Sequence, residues 1–257
     1  EGSAIATAVA ETVAAAALAC AFVAAGRPST QQIGDTSEEP IDLKALAPCA
    51  QFAALTLART ASLQVFLAAC TNSVGSAGGS QDLAAHHILR SLYTLLSFAT
   101  DALAIAAQQL VASAETDAER RLVAKRLLGI WGIGIGAIFA AFLAFAADPV
   151  VGAIDADHSV RDLAVPRVRG ILAPLQILSS FVFVADGVLQ GNRAFLFEAK
   201  AMAFSTLVAA VALYSLPLLP AWSSNDPATI LDVAWTSVCV LQAARALTFA
   251  FWWWSSP

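Results

Sequence analysis

Charge is what this sequence of 257 residues has least of: 13% of its residues are Asp, Glu, Lys or Arg, while 58% are hydrophobic. Soluble domains carry about 25% charged residues. A chain with half that share and a mean hydropathy of +0.71 is not built for water. Basic runs are lacking as well. With a net charge of −5 and no Lys/Arg-rich stretch, no nucleic-acid partner is expected. The four cysteines, Cys20, Cys49, Cys70 and Cys239, lie in apolar stretches without metal-ligand spacing. They read as small buried apolar side chains and say nothing of redox compartment. There is no phosphate-binding loop, dinucleotide fingerprint or zinc-protease motif, so neither a cofactor nor an enzymatic activity is expected. Gly75-Ser76-Ala77-Gly78 has the look of an intramembrane serine protease motif, but it falls in an expected loop, and no later helix offers a His as its base. No basic segment precedes the first apolar run, so no signal peptide is expected within these residues, and the first residue is Glu1. The sequence reads as starting inside a longer protein.

Long apolar runs fill the rest. A spanning helix needs about 20 mostly apolar residues, and seven segments qualify: 4–25, 49–72, 83–112, 127–147, 167–190, 195–219 and 229–254. The expected fold is all-α and polytopic, with about seven transmembrane helices. Most connections are short and polar, which makes sequential helices antiparallel neighbours. The exception is 26–47, rich in Ser, Thr, Gln, Asp and Glu, a linker between two parts. Arg27, Lys44, Arg120, Arg121, Lys125, Arg126, Arg193 and Lys200 collect on one side, while the connections 73–82 and 218–228 have no basic residue. By the positive-inside rule the first side is cytoplasmic or its equivalent, and the first span runs outside to inside. Gly129, Gly132, Gly134 and Gly136 give the fourth span a small-residue face for close helix packing. Trp252, Trp253 and Trp254 end the last span as an interfacial anchor.

Ionisable groups within spans are costly and so mark candidate sites. They are Glu11, Arg59, His86, His87, Arg90, Asp101, Asp186, Glu198 and Arg245. Asp101 lies about 27 Å along its helix from residue 83, and Arg59 about 20 Å from the outer end of the preceding span. Those depths allow Arg59 to reach Asp101, either as a structural ion pair or beside a protonatable carboxylate in a cavity. Arg90 is about 16 Å away from Asp101 on the same helix and cannot be its partner. Thr94, Asp101 and Gln108 recur every seven residues and share roughly one helix face. That polar face, Asp101 included, is expected to turn toward the bundle interior. Asp186, near the end of its span, pairs with Arg193 or water in the plainest reading. His86 and His87 suit interfacial anchoring or proton relay. Glu11, near the centre of the first span, needs a partner there.

Several stretches resemble transporters of the multidrug and toxic compound extrusion (MATE) family, and within it the branch named for DNA-damage-inducible protein F. Ala84-Ala85-His86-His87-Ile88-Leu89-Arg90 running into Phe98-Ala99-Thr100-Asp101-Ala102-Leu103-Ala104-Ile105-Ala106-Ala107-Gln108 is similar to that branch's eighth helix. Phe183-Val184-Ala185-Asp186-Gly187-Val188-Leu189-Gln190-Gly191 resembles its tenth, and Gly2-Ser3-Ala4-Ile5-Ala6-Thr7 the start of its sixth. Ile154-Asp155-Ala156-Asp157-His158-Ser159-Val160 is similar to the acidic segment between helices nine and ten. In order and spacing these cover essentially the whole chain, as helices six to twelve of twelve. The resemblance implies 1–25 as the last helix of an amino-terminal lobe, 26–47 as the inter-lobe linker and 48–257 as a six-helix carboxy-terminal lobe. It implies an antiporter in a lipid bilayer that exports small organic or xenobiotic compounds in exchange for protons or sodium. Asp101, Arg59, Gln108, Asp186, Thr94 and Glu11 would lie on the substrate and ion pathway, with the missing amino-terminal lobe as a necessary partner. The branch places its coupling carboxylates in that lobe, and the tenth-helix carboxylate used by another branch is replaced here by Ser179 and Ser180. A truncated, non-transporting membrane bundle is the alternative. Bacterial plasma membrane and plastid envelope both remain open.

Overall fold

The structure is a computed structural model of the chain, and it describes residues 47–219, 222 and 228–255. The chain divides after Ala47, and the second unit, Pro48–Pro257, contains the bundle described below. The expected span 4–25, with Glu11, and most of the linker lie outside the described residues.

Six long helices follow one another: α1 (Ala47–Ala77), α2 (Ser80–Ala112), α3 (Asp117–Ile154), α4 (His158–Gly191), α5 (Phe195–Leu218) and α6 (Ala228–Ser255). Each is long and apolar enough to cross a bilayer, and no strand occurs among the described residues. All-helical architecture follows from the solvent, because backbone groups in hydrocarbon must be satisfied within the segment itself. Large apolar side chains on the outside, such as Phe145 at 86% and Leu218 at 81% exposure, fit lipid and not water. This is an integral membrane protein.

The helices outrun their apolar cores. Asn72–Ala77 continue α1, so Gly75 to Ala77 are helical and the expected loop shrinks to Gly78 and Gly79. The charged stretch Asp117–Arg126, expected as a loop, is the first part of α3. Local caps explain these boundaries. The Asp82 carboxylate accepts from the Gly79 N–H at 2.8 Å, and the Thr116 hydroxyl accepts from the Glu119 N–H at 3.2 Å, each filling a vacancy of a first helical turn. Asp157 caps α4 by accepting from the Ser159 N–H at 2.9 Å. The Ser159 hydroxyl and N–H together hold the Asp157 carboxyl below the usual carboxylate range. Within α4, Pro166 removes a donor, and one wide turn, Val168–Leu172, follows it.

Helix α4 is central, packing on α2, α3 and α6; its most apolar stretch is 72% buried, the highest of the six. Close approach depends on small residues. A Cβ on Gly187 would strike the Ala104 carbonyl of α2. One on Gly136 of α3 would lie 2.7 Å from the Ile177 Cα of α4, and one on Gly132 3.2 Å from the Phe181 Cα. The Gly132-x-x-x-Gly136 face thus meets α4, whereas Gly129 and Gly134 have nothing within 4 Å and take no part. At the less basic end, Arg167 pairs bidentately with Asp232 at 2.7 and 3.0 Å, and Arg169 pairs with Asp148. Of Arg161, Arg167 and Arg169, the basic residues around 148–169, the last two are therefore matched by acids.

Candidate functional site

The bundle's interior holds a buried ion network drawn from four helices. Arg59 of α1 reaches Glu198 of α5 at 2.5 Å and Asp186 of α4 at 3.1 Å. Arg245 of α6 pairs with the same Asp186 oxygen. Asp186, Glu198 and Arg245 are 8%, 6% and 5% exposed, so these charges are withdrawn from solvent and must balance one another. Two guanidiniums face two carboxylates.

Neutral groups complete the shell. Arg245 donates to the Gln242 side-chain carbonyl at 2.9 Å, and the Gln242 amide donates to the Tyr93 hydroxyl of α2 at 2.5 Å. The Gln190 amide donates to Glu198 at 2.9 Å. The Arg245 guanidinium also stands 5.5 Å from the centre of the Phe183 ring, a cation–π distance. Five helices thereby meet in one polar array. The cavity beside it measures about 10 Å³, room for one water at most. In this arrangement the array is a closed charge lock with no space for an organic molecule. Among the described residues, no group of three or more His, Cys, Asp or Glu is placed to hold a metal ion.

Two of the sequence candidates, Arg59 and Asp186, come together here, and their partners are not the expected ones. Arg59 binds Asp186 and Glu198 and makes no ion pair with Asp101, while Asp186 takes Arg59 and Arg245 in place of Arg193. Asp101 is close enough to Arg59, Asp186 and Arg245 to interact through space, yet it is exposed on the surface of the bundle. Thr94 is exposed too, and Gln108 is half-buried. The expectation that this face turns inward fails because the face about a quarter-turn away on α2, with Leu89, Tyr93, Thr100, Ala107 and Val111, is the buried one. It is drawn against α4 where Gly187 meets Ala104 and Gly191 meets Gln108. Glu198 and Arg245 stand in the sequence as charges within apolar spans, which was signal enough to notice them; Gln242, Tyr93 and Gln190 carried none.

His86 is buried, with its Nε2 3.1 Å from the Thr71 hydroxyl and its ring 5.8 Å from that of Trp235. Arg90 donates to the same hydroxyl at 3.1 Å. These contacts tie α1 to α2 inside the protein, where interfacial anchoring had been expected of His86. Cys70 is fully buried in the core, as a small apolar side chain would be.

Six bilayer-length helices around paired internal charges define a polytopic helical membrane protein with a candidate functional site in its interior, since soluble bundles do not expose such surfaces and buried charges within spans are costly. The MatE family profile matches residues 57–215, and the chain belongs to that family. It is 28% identical over 199 residues to "Protein DETOXIFICATION 44, chloroplastic" of Arabidopsis thaliana, a match covering 77% of this chain and 36% of that protein. Its fold is that of an outward-facing multidrug resistance MATE transporter of the MOP superfamily, with a TM-score of 0.64 at 16% identity. It is similarly that of a MOP superfamily transporter from Pyrococcus furiosus, with a TM-score of 0.60 at 15% identity. Each structural match covers 80% of this chain and 44% of the solved one. The chain thus spans less than half the length of these relatives.

Proposed function

We propose that this chain is the carboxy-terminal part of a secondary active antiporter that exports small organic compounds across a membrane in exchange for protons or sodium. Residues 48–257 form its second lobe and 1–25 the last helix of the first, in the manner of the branch named for DNA-damage-inducible protein F. The observation that carries this reading is the family match over 57–215, which runs from α1 through α5. The closed network of Arg59, Asp186, Glu198 and Arg245 holds the helices of one lobe as a rigid unit. Alternating access requires such units to rock against one another.

Asp101 supports the same reading. An exposed carboxylate in the middle of a spanning helix cannot face hydrocarbon cheaply, so its surroundings in the whole protein are aqueous or polar. With Thr94 and Gln108 it marks the face turned to the substrate and ion pathway. The test is uptake into proteoliposomes by the full-length parent, with pH and sodium gradients imposed separately. Transport driven by either gradient is expected. Coupled transport by 1–257 alone would overturn the two-lobe reading, and no transport by the parent under either gradient would leave the non-transporting bundle.

A further inference from the structure

At the more basic end of the bundle, three elements enclose a cleft of about 230 Å³ lined by Asp117, Arg120, Arg121, Ala124, Asn192, Trp252 and Trp253. It shares no lining residue with the ion network or with the Asp101 face. We propose that it binds the phosphate headgroup of an acidic phospholipid, a role independent of the transport reading.

Charge comes first. The lining places the guanidiniums of Arg120 and Arg121 beside Asp117. Arg120 donates through Nη1 to Asp117 at 2.9 Å and through Nη2 to the Ala114 carbonyl at 3.4 Å, while its buried Nε has no partner. A buried N–H donor without an acceptor is rare and calls for one. The Asp117 side chain is 88% exposed, so water screens its charge while it orients Arg120. The same wall is the first turn of α3. Its N-cap, Thr116, takes the Glu119 and Arg120 N–H groups, which fixes the turn that carries Arg120 and Arg121.

Size and the opposite wall select the anion. The volume is below the about 300–1,000 Å³ of pockets that hold drug-sized ligands, but it suits a headgroup. Trp252 and Trp253 each pack 6.0 Å from the Phe249 ring, and Trp252 lies 6.5 Å from Phe197. Two tryptophans fixed at the end of a spanning helix belong at headgroup depth. A lipid gains from both the arginines and this wall, whereas free phosphate gains from the arginines alone. Basic recesses on the side that gathers Lys and Arg face the leaflet where anionic lipids concentrate.

The experiment is native mass spectrometry of the full-length parent in detergent, titrated separately with phosphatidylglycerol, phosphatidylcholine of the same acyl chains, and inorganic phosphate. Saturable retention of phosphatidylglycerol is expected, with no displacement by phosphatidylcholine or phosphate. Arg120→Gln with Arg121→Gln should weaken that retention about tenfold or more. Lys125→Gln with Arg126→Gln, one turn along and outside the lining, should leave it unchanged. Equal loss in both pairs would mean diffuse surface charge and overturn the site. Displacement by inorganic phosphate at matching affinity would make the ligand a soluble anion and overturn the lipid. Should the first pair not fold, Trp253→Ala carries the test with all charges kept. It should weaken phosphatidylglycerol retention, and unchanged retention would refute the role of the wall.

Discussion

Asp186 holds two guanidiniums through one oxygen, and replacing it tests the ion network most directly. Asp186→Asn preserves shape but leaves Arg245 with neutral partners such as the Gln242 side-chain carbonyl, and Arg59 with Glu198 as its one carboxylate. The Arg59 side chain is 19% exposed and that of Arg245 5%, so the stranded charge of Arg245 weighs more. Removing one partner of a buried pair costs about 3–5 kcal/mol. At about 2–4 °C per kcal/mol for a unit of 150–250 residues, the melting temperature should fall by about 6–20 °C. Arg245→Gln should cost about 3 kcal/mol, the lower end of that range, because Asp186 keeps Arg59 at 3.1 Å. The double variant is neutral again, with the Arg59–Glu198 pair intact. It should therefore be about 2–3 kcal/mol more stable than the summed single losses. Thermal unfolding followed by size-exclusion chromatography of the detergent-solubilised parent measures all three. Losses that add within about 0.5 kcal/mol would show Asp186 and Arg245 to be uncoupled, and the idea of a charge lock would fail.

Gly187→Ala should destabilise by about 1–3 kcal/mol, since its methyl group falls on the Ala104 carbonyl, while Gly134→Ala, with nothing within 4 Å, should be neutral or stabilising; the same thermal assay compares them, and equal effects would remove the close α2–α4 contact from the account. Asp101→Asn should leave stability within about 0.5 kcal/mol, as for a surface position, and lower transport by the full-length parent in proteoliposomes. A stability loss as large as the transport loss would return Asp101 to a structural role. Cysteines at the exposed positions Ser76 and Ser113, in a background without the four native ones, should label from opposite sides of the membrane; labelling from one side would invert part of the topology.

The bilayer made the helices legible in the sequence and obscured the site, for related reasons. A span must be apolar over about 20 residues whatever it packs against, so hydropathy alone finds α1 to α6. Helix ends answer to local chemistry instead: Thr116 and Asp157 cap polar turns that hydropathy discards as loop. The charges pose the harder problem. Depth along an axis can be counted at about 1.5 Å per residue, and it brought Arg59 near Asp101. Rotation about the axis cannot be counted that way, because α2 is nearly as apolar on its exposed face, with Leu95, Phe98 and Ile105, as on its buried one. What turned α2 was Gly187, whose missing side chain lets the Ala104 backbone of α2 approach α4. Once that contact is made, Tyr93 is inside and Asp101 outside, and Arg59 closes on Asp186 and Glu198. Charge balance then singles out the odd member. With two arginines satisfied by two buried carboxylates, Asp101 is the mid-span carboxylate left over among the described residues, and a surface that carries such a carboxylate at that depth has to be wet or covered by polar protein.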